Sequence, residues 1–364
     1  MKNITYKLSI LILTSFLILG LFTVLRETKS FSDMERRPLA QAPKLNLNHF
    51  YDGAYQSDFA RYLADQIPGR NFWLQLKSTT QAYSGAKDNG RVYFAQEDFL
   101  IEKNGPLDQS KLEENVGDMK HFLNKNPELK ATIILAPTQA GVYEEYLPAG
   151  HSESDQEEVF ETLGVPSRLQ KMSEEGLYYR TDHHWTQAGA YQAYHDWLEK
   201  SGRASADPVY TKTLVTEAFY GTTYAKAPLW SVSPDSIYAY THPTINQAEV
   251  LDHNGQLIQT GLYNPSALDS YDPYGYFIGK NVGVLEINTH SDGNGHLLLF
   301  KDSYANAFVP FLLPHFSTIT MVDLRYYNGG MGELLARKEF TDVLFLYNLV
   351  TLSSESNTYK LMMD

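Results

Sequence analysis

Four short apolar runs, three of which stop abruptly at polar residues, restrict the architectures open to this chain. They are ATIILAPT (131–138), HLLLFKDS (296–303), STITMVDLR (317–325) and EFTDVLFLYNLV (339–350). Runs of this length that lack polar alternation suit strands buried on both faces. The first is led by an amphipathic helical stretch, LDQSKLEENVGDMKHFLNKNP (107–127), and the second is followed by YANAFVPFLLPHF (304–316). Short buried strands alternating with helices predict an α/β, three-layer domain with a mostly parallel sheet.

The flanking segments differ. FYDGAYQSDFARYLADQ and NFWLQLKSTTQAY read as two helices broken at Pro68-Gly69, and RVYFAQEDFLIE alternates as a hairpin. Residues 205–290 are rich in Tyr, Thr, Asp and Gly and read as a β-rich insertion within a domain spanning 50–350, with 351–364 a C-terminal tail. Residues 27–49 (MERRPLAQAPKLN within them) lack sustained periodicity and read as a stalk or lead-in.

Residues 1–26 contain an uncharged stretch from Leu8 to Leu25. As a helix it spans roughly 27 Å, close to the ~30 Å of a bilayer's hydrocarbon core. Lys2 and Lys7 precede it, and no small-x-small cleavage pattern follows, so one retained membrane anchor through residues 8–25 is expected, with a cleaved signal sequence as the alternative. The body is expected outside the cytoplasm. The net charge of −13 disfavours nucleic acid, and the absence of cysteine excludes disulfides, thiolate metal sites and Cys nucleophiles.

In open α/β sheets functional groups gather beyond the carboxyl ends of the strands. Ser303 stands at such an end. A serine hydroxyl needs a base, and an imidazole base needs an orienting carboxylate. RTDHHWT (180–186) supplies Asp182 and His184 before a helical stretch, TQAGAYQAYHDWL. By residue type alone three readings stay open: a catalytic triad, a metal cluster and structural capping.

YYRTDHHWTQAGAYQAY, LLLFKDSYANAFVPFL and DLRYYN together resemble the DHHW family of bacterial surface proteins, itself related to the SGNH-hydrolase-like domains of the alginate O-acetylation proteins. ERRPLAQAPKL, APTQAGVYEEYLP and FYGTTYAKA extend the similarity over most of residues 35–350. The resemblance implies an SGNH-hydrolase-like fold and an Asp-x-His signature with a distant Ser, falling on Asp182, His184 and Ser303. His183 takes the variable middle position.

It also implies O-acetylation, or deacetylation, of a cell-surface or secreted polysaccharide through an acetyl-serine. No cofactor or metal ion is implied. A multi-span membrane partner that passes acyl groups outward fits that scheme.

Further site candidates are weighed against plainer roles. Asn306 is a candidate oxyanion donor or polar surface, and Arg325 a binder of anionic glycan groups or the ion-pair partner of Asp323. Trp185 is a packing residue, with sugar stacking second. The stretch Tyr220-Gly221-Thr222-Thr223 resembles a family loop and is a candidate cleft lining, Thr138 is a rim or turn residue, and Thr186 a helix cap. Two other functions remain as alternatives: a catalytically degenerate glycan-binding or assembly protein, and a metal-dependent hydrolase. Palmitoyl transfer is excluded, because its required Cys is Trp185 here.

Overall fold

Each of the four apolar runs becomes a strand of one seven-stranded sheet. A computed structural model describes residues 2–45, 50–167, 176–203, 208–279 and 281–363. Residues 46–49 of the lead-in, 205–207 and 280 of the insertion, and residue 364 of the tail lie outside the described residues. In chain order the strands are β1 (Lys130–Ala136), β2 (Glu249–Leu251), β3 (Leu257–Thr260), β4 (Val284–Asn288), β5 (His296–Lys301), β6 (Thr318–Val322) and β7 (Asp342–Asn348). They lie side by side in the order β1-β7-β5-β6-β4-β2-β3.

The four strands read from the apolar runs form the parallel half of the sheet. β4 pairs antiparallel with β6, and β2 and β3 continue outward from it. Much of the β-rich insertion therefore widens the main sheet, and its other part is a separate two-stranded ribbon, Thr211–Phe219 with Asp235–Thr241.

Side chains alternate across the parallel strands. Leu298 and Phe300 of β5 and Phe345 of β7 share one core with Val116, Met119 and Phe122 of the helix Gln109–Lys125. Leu297, Leu299, Leu344 and Leu346 face the other way and share a second core with Ala190, Tyr194 and Trp197 of the helix Gln187–Lys200. Both faces are thus covered, which gives the three layers. Burying each such leucine or phenylalanine contributes about 1.5–3 kcal/mol relative to exposure.

Two expectations change. The stretch after Ser303 is not one helix: a single turn, Ala305–Phe308, passes into 3-10 turns at Val309–Phe311 and Leu313–His315. Pro310 and Pro314 have no amide hydrogen to carry a helical ladder onward, so little helix dipole points at Ser303.

The lead-in is also tied to the body instead of standing off as a stalk. Arg37 holds Asp65 in a two-pronged pair at 2.7 and 2.9 Å, while Arg36 reaches Asp272 at 3.0 Å and the Tyr220 carbonyl at 2.7 Å. Near the N-terminus, Ile4–Leu25 forms one helix of 22 residues with mean hydropathy 2.6, long and apolar enough to cross a membrane. A signal sequence shares those properties.

Candidate active site

The segment RTDHHWT closes on itself before it meets anything else. Tyr178 and Trp185 form an antiparallel bridge, the Tyr179 amide donates to the His184 carbonyl at 3.3 Å, and the Thr186 amide donates to Leu177 at 2.8 Å. Asp182 and His184 lie inside the resulting loop. Buried Asp235 anchors its rim, accepting from the amides of Arg180 and Thr181 and from the Thr181 hydroxyl. Thr186 caps the next helix by accepting from the Gly189 amide.

Ser303 arrives from β5. Asp302, fully buried, accepts from the Tyr304 amide at 2.9 Å and from the Asn348 amide at 2.8 Å, which fixes the turn to the end of β7. The two segments are then cross-bonded. Trp185 Nε1 donates to the Tyr304 carbonyl at 2.9 Å, and the Tyr304 hydroxyl donates to the His183 carbonyl.

This docking aligns the three groups. The Ser303 hydroxyl lies 2.7 Å from His184 Nε2, and His184 Nδ1 lies 2.5 Å from Asp182 Oδ1. Asp182 Oδ1 also takes the His184 amide at 3.0 Å, and Oδ2 takes the Thr222 amide at 2.7 Å. Burial alone would push the Asp182 carboxyl up, but the His184 and His183 rings, the His184 hydrogen bond and Arg36 hold it well below the ordinary carboxylate value. An ionised Asp182 fixes the proton on Nδ1 and leaves Nε2 free to accept from the serine.

The surroundings are aromatic. Tyr274 stacks on the His184 ring at 3.9 Å and 8°. Its hydroxyl lies 3.4 Å from the Ser303 carbonyl. Gly221 sits so close to Asp182 that any Cβ there would overlap the carboxylate. Among the described residues the Ser303 amide N–H meets no hydrogen-bond acceptor, so it is available to a developing oxyanion.

The remaining candidates divide. Trp185 is fully buried, so it cannot stack on a sugar and its role is packing. Arg325 has its guanidinium fork on Asp323, at 2.8 and 2.7 Å, so the ion-pair reading replaces glycan binding. Asn306 is buried, which removes the polar-surface reading; its carboxamide accepts from Lys301 at 3.0 Å and faces Asn281 at 3.5 Å, with no contact to the Ser303 hydroxyl. Lys301 is itself buried, and desolvation lowers its pKa to about 8.

Thr138 is a buried turn residue that caps Gln139–Val142 and bonds Gln156. Tyr220 stays partly exposed, stacked on Tyr224 at 4.0 Å, on the loop that brings Gly221 and Thr222 to Asp182. Sequence reasoning missed Tyr274 and Asp235, which gave no signal. Gly221 and Thr222 lie in the stretch weighed as cleft lining, and the structure adds their contacts to the Asp182 carboxylate.

Asp182, His183 and His184 place their ligand atoms within 4.8 Å of one another, as a metal cluster would. Both His184 nitrogens and both Asp182 oxygens nevertheless hold hydrogen bonds of the relay. The geometry is that of an imidazole placed to accept a proton from a hydroxyl.

A family model described as DHHW protein matches residues 165–322, a span that includes Asp182, His184 and Ser303. Among solved structures, a DHHW family protein from Eubacterium siraeum is similar at 23% identity and a TM-score of 0.61, covering 76% of this chain and 95% of that one. Bacillus cereus PatB1 with a sulfonyl adduct is similar at 19% identity and a TM-score of 0.59, covering 75% and 99%. A second structure of Bacillus cereus PatB1 is similar at 20% identity and a TM-score of 0.59, covering 73% and 97%. These likenesses show a shared fold. No curated protein matches the sequence.

Proposed function

Starting from a chain that matches the DHHW family model over residues 165–322, we propose that it transfers an acyl group through an acyl-Ser303 intermediate. The acyl group is acetyl and the acceptor is a hydroxyl of a cell-surface or secreted polysaccharide. The observation that carries this reading is the continuous relay from Asp182 through His184 to the Ser303 hydroxyl, at 2.5 and 2.7 Å.

In this mechanism His184 Nε2 takes the Ser303 proton as Oγ attacks the acyl carbonyl. Asp182 stabilises the resulting imidazolium, and the Ser303 amide stabilises the oxyanion. The donor's leaving group departs with the proton from His184. An incoming hydroxyl then gives its proton to the same nitrogen, attacks the acyl-serine, and releases Ser303 Oγ with that proton. The apolar helix Ile4–Leu25 anchors the body, and the chemistry takes place on the extracytoplasmic side.

The test uses p-nitrophenyl acetate with the wild type and Ser303→Ala. Wild type should show a nitrophenolate burst matched by an acyl adduct on the Ser303 peptide in mass spectrometry. The Ser303→Ala variant should lose on the order of 10⁴-fold in rate or more. Equal turnover by the two proteins would remove Ser303 as nucleophile. Labelling of Ser303 by a sulfonyl fluoride gives an independent check on the activated hydroxyl.

A further inference from the structure

His183 stands between the two acid-base residues in sequence and is used by neither step. Its Nδ1 is bonded to the Thr222 hydroxyl at 2.6 Å, and its ring lies 3.8 Å from the His184 ring. Nε2 has no hydrogen-bond partner among the described residues, and a third of the side chain is exposed. Burial and the neighbouring His184, opposed by Asp182, lower its pKa to about 3. His183 is therefore a neutral ring with one nitrogen open.

That ring lines a cavity of about 250 Å³. Tyr304, the residue after the nucleophile, lines it too, so the cavity abuts both segments that supply the triad. Glu102 and Lys226 form an ion pair on its wall, which leaves no net charge there, and Ile101 and Val350 supply apolar surface. A neutral ligand with hydroxyls on one side and C–H groups on the other suits such walls.

We propose that this cavity is the acceptor subsite, taking a neutral glycosyl or other polyol unit, and that His183 Nε2 binds the hydroxyl that receives the acyl group. The inference rests on the acyl-Ser303 reading. A hydroxyl both donates and accepts, so either tautomer of His183 makes one hydrogen bond to it. Acyl-Ser303 plus the bound alcohol gives the ester and free Ser303; the alcohol's proton passes to His184 Nε2 and on to Ser303 Oγ. Water needs no such subsite to hydrolyse the acyl-enzyme. His183 thereby biases the intermediate toward transfer.

The experiment uses p-nitrophenyl acetate as donor and glycerol as acceptor probe, with the full chain. The ratio of glyceryl acetate to acetate is counted per acyl-enzyme formed. His183→Phe, which keeps a flat ring beside His184, should lower that ratio about tenfold, the worth of roughly one hydrogen bond. His183→Gln should recover part of it. Val350→Phe, which fills the cavity from another wall, should lower it as well.

Absence of a burst in wild type would count against the acyl-serine reading itself. A wild-type burst with the same ratio in all four proteins, including no transfer by any of them, would overturn the acceptor-site assignment.

Discussion

Asp182 and Asp302 occupy comparable places in the two segments that build the site, and they behave oppositely. Both are fully buried and both sit within two residues of a triad member. Asp182 receives an imidazole N–H besides backbone amides, with two histidine rings and Arg36 in its field, and its pKa falls well below the ordinary value. Asp302 receives the amides of Tyr304 and Asn348, and desolvation outweighs them, raising its pKa. Equal burial thus gives opposite shifts, because the surrounding donors and charges decide whether the ionised form is compensated. One aspartate holds an imidazole; the other shapes a turn.

The largest expected effect separates those roles. Asp182→Asn should lower kcat/KM for p-nitrophenyl acetate by about 10⁴-fold, since the neutral amide no longer fixes the His184 tautomer. Asp302→Asn should cost less than about tenfold per folded molecule, its main damage being lost strand-end hydrogen bonds worth about 1–3 kcal/mol. Similar losses of activity in the two variants would break the comparison.

A smaller effect tests how closely Asp182 must be held. Gly221→Ala places a methyl group against the Asp182 carboxylate. A displacement of that kind costs about 10²-fold in rate. The same kinetic assay reads it, and thermal unfolding separates misplacement from instability. Wild-type activity in this variant would show that the carboxylate tolerates movement.

The smallest effects lie in the pH dependence of stability, and their signs differ. The depressed pKa of Asp182 stabilises the fold above the ordinary value of 3.8, and that contribution is lost as pH falls through the folded value. The raised pKa of Asp302 acts in reverse. Its contribution is complete below 3.8 and is lost as pH rises through the higher folded value. Urea unfolding from acid to neutral pH should therefore show Asp182→Asn removing a rise in stability and Asp302→Asn removing a decline. Parallel curves for the two variants would contradict the opposed shifts.

Much of the architecture is legible in the sequence. HLLLFK and DVLFLYN name central strands because no polar alternation interrupts them, and Thr186 announces the start of a helix. Trp185, weighed as packing first and sugar stacking second, is fully buried. The stack of Tyr274 on His184 was hidden in SYDPYGYF, where several tyrosines follow one another without periodicity. Arg36 also gave no sign of reaching from the lead-in to Asp272, because long-range ion pairs leave no local spacing.

The sequence by itself determined the relations that local geometry can carry. Asp182 and His184 are two residues apart, and one tight loop suffices to bond carboxylate to imidazole. The strand pattern likewise placed Ser303 at the end of a buried strand. Only the tertiary structure decided that Ser303, 119 residues from His184, meets its free nitrogen. That distance is set by the docking of the two segments through Trp185 and Tyr304, and no residue spacing encodes which of two distant loops will pack together.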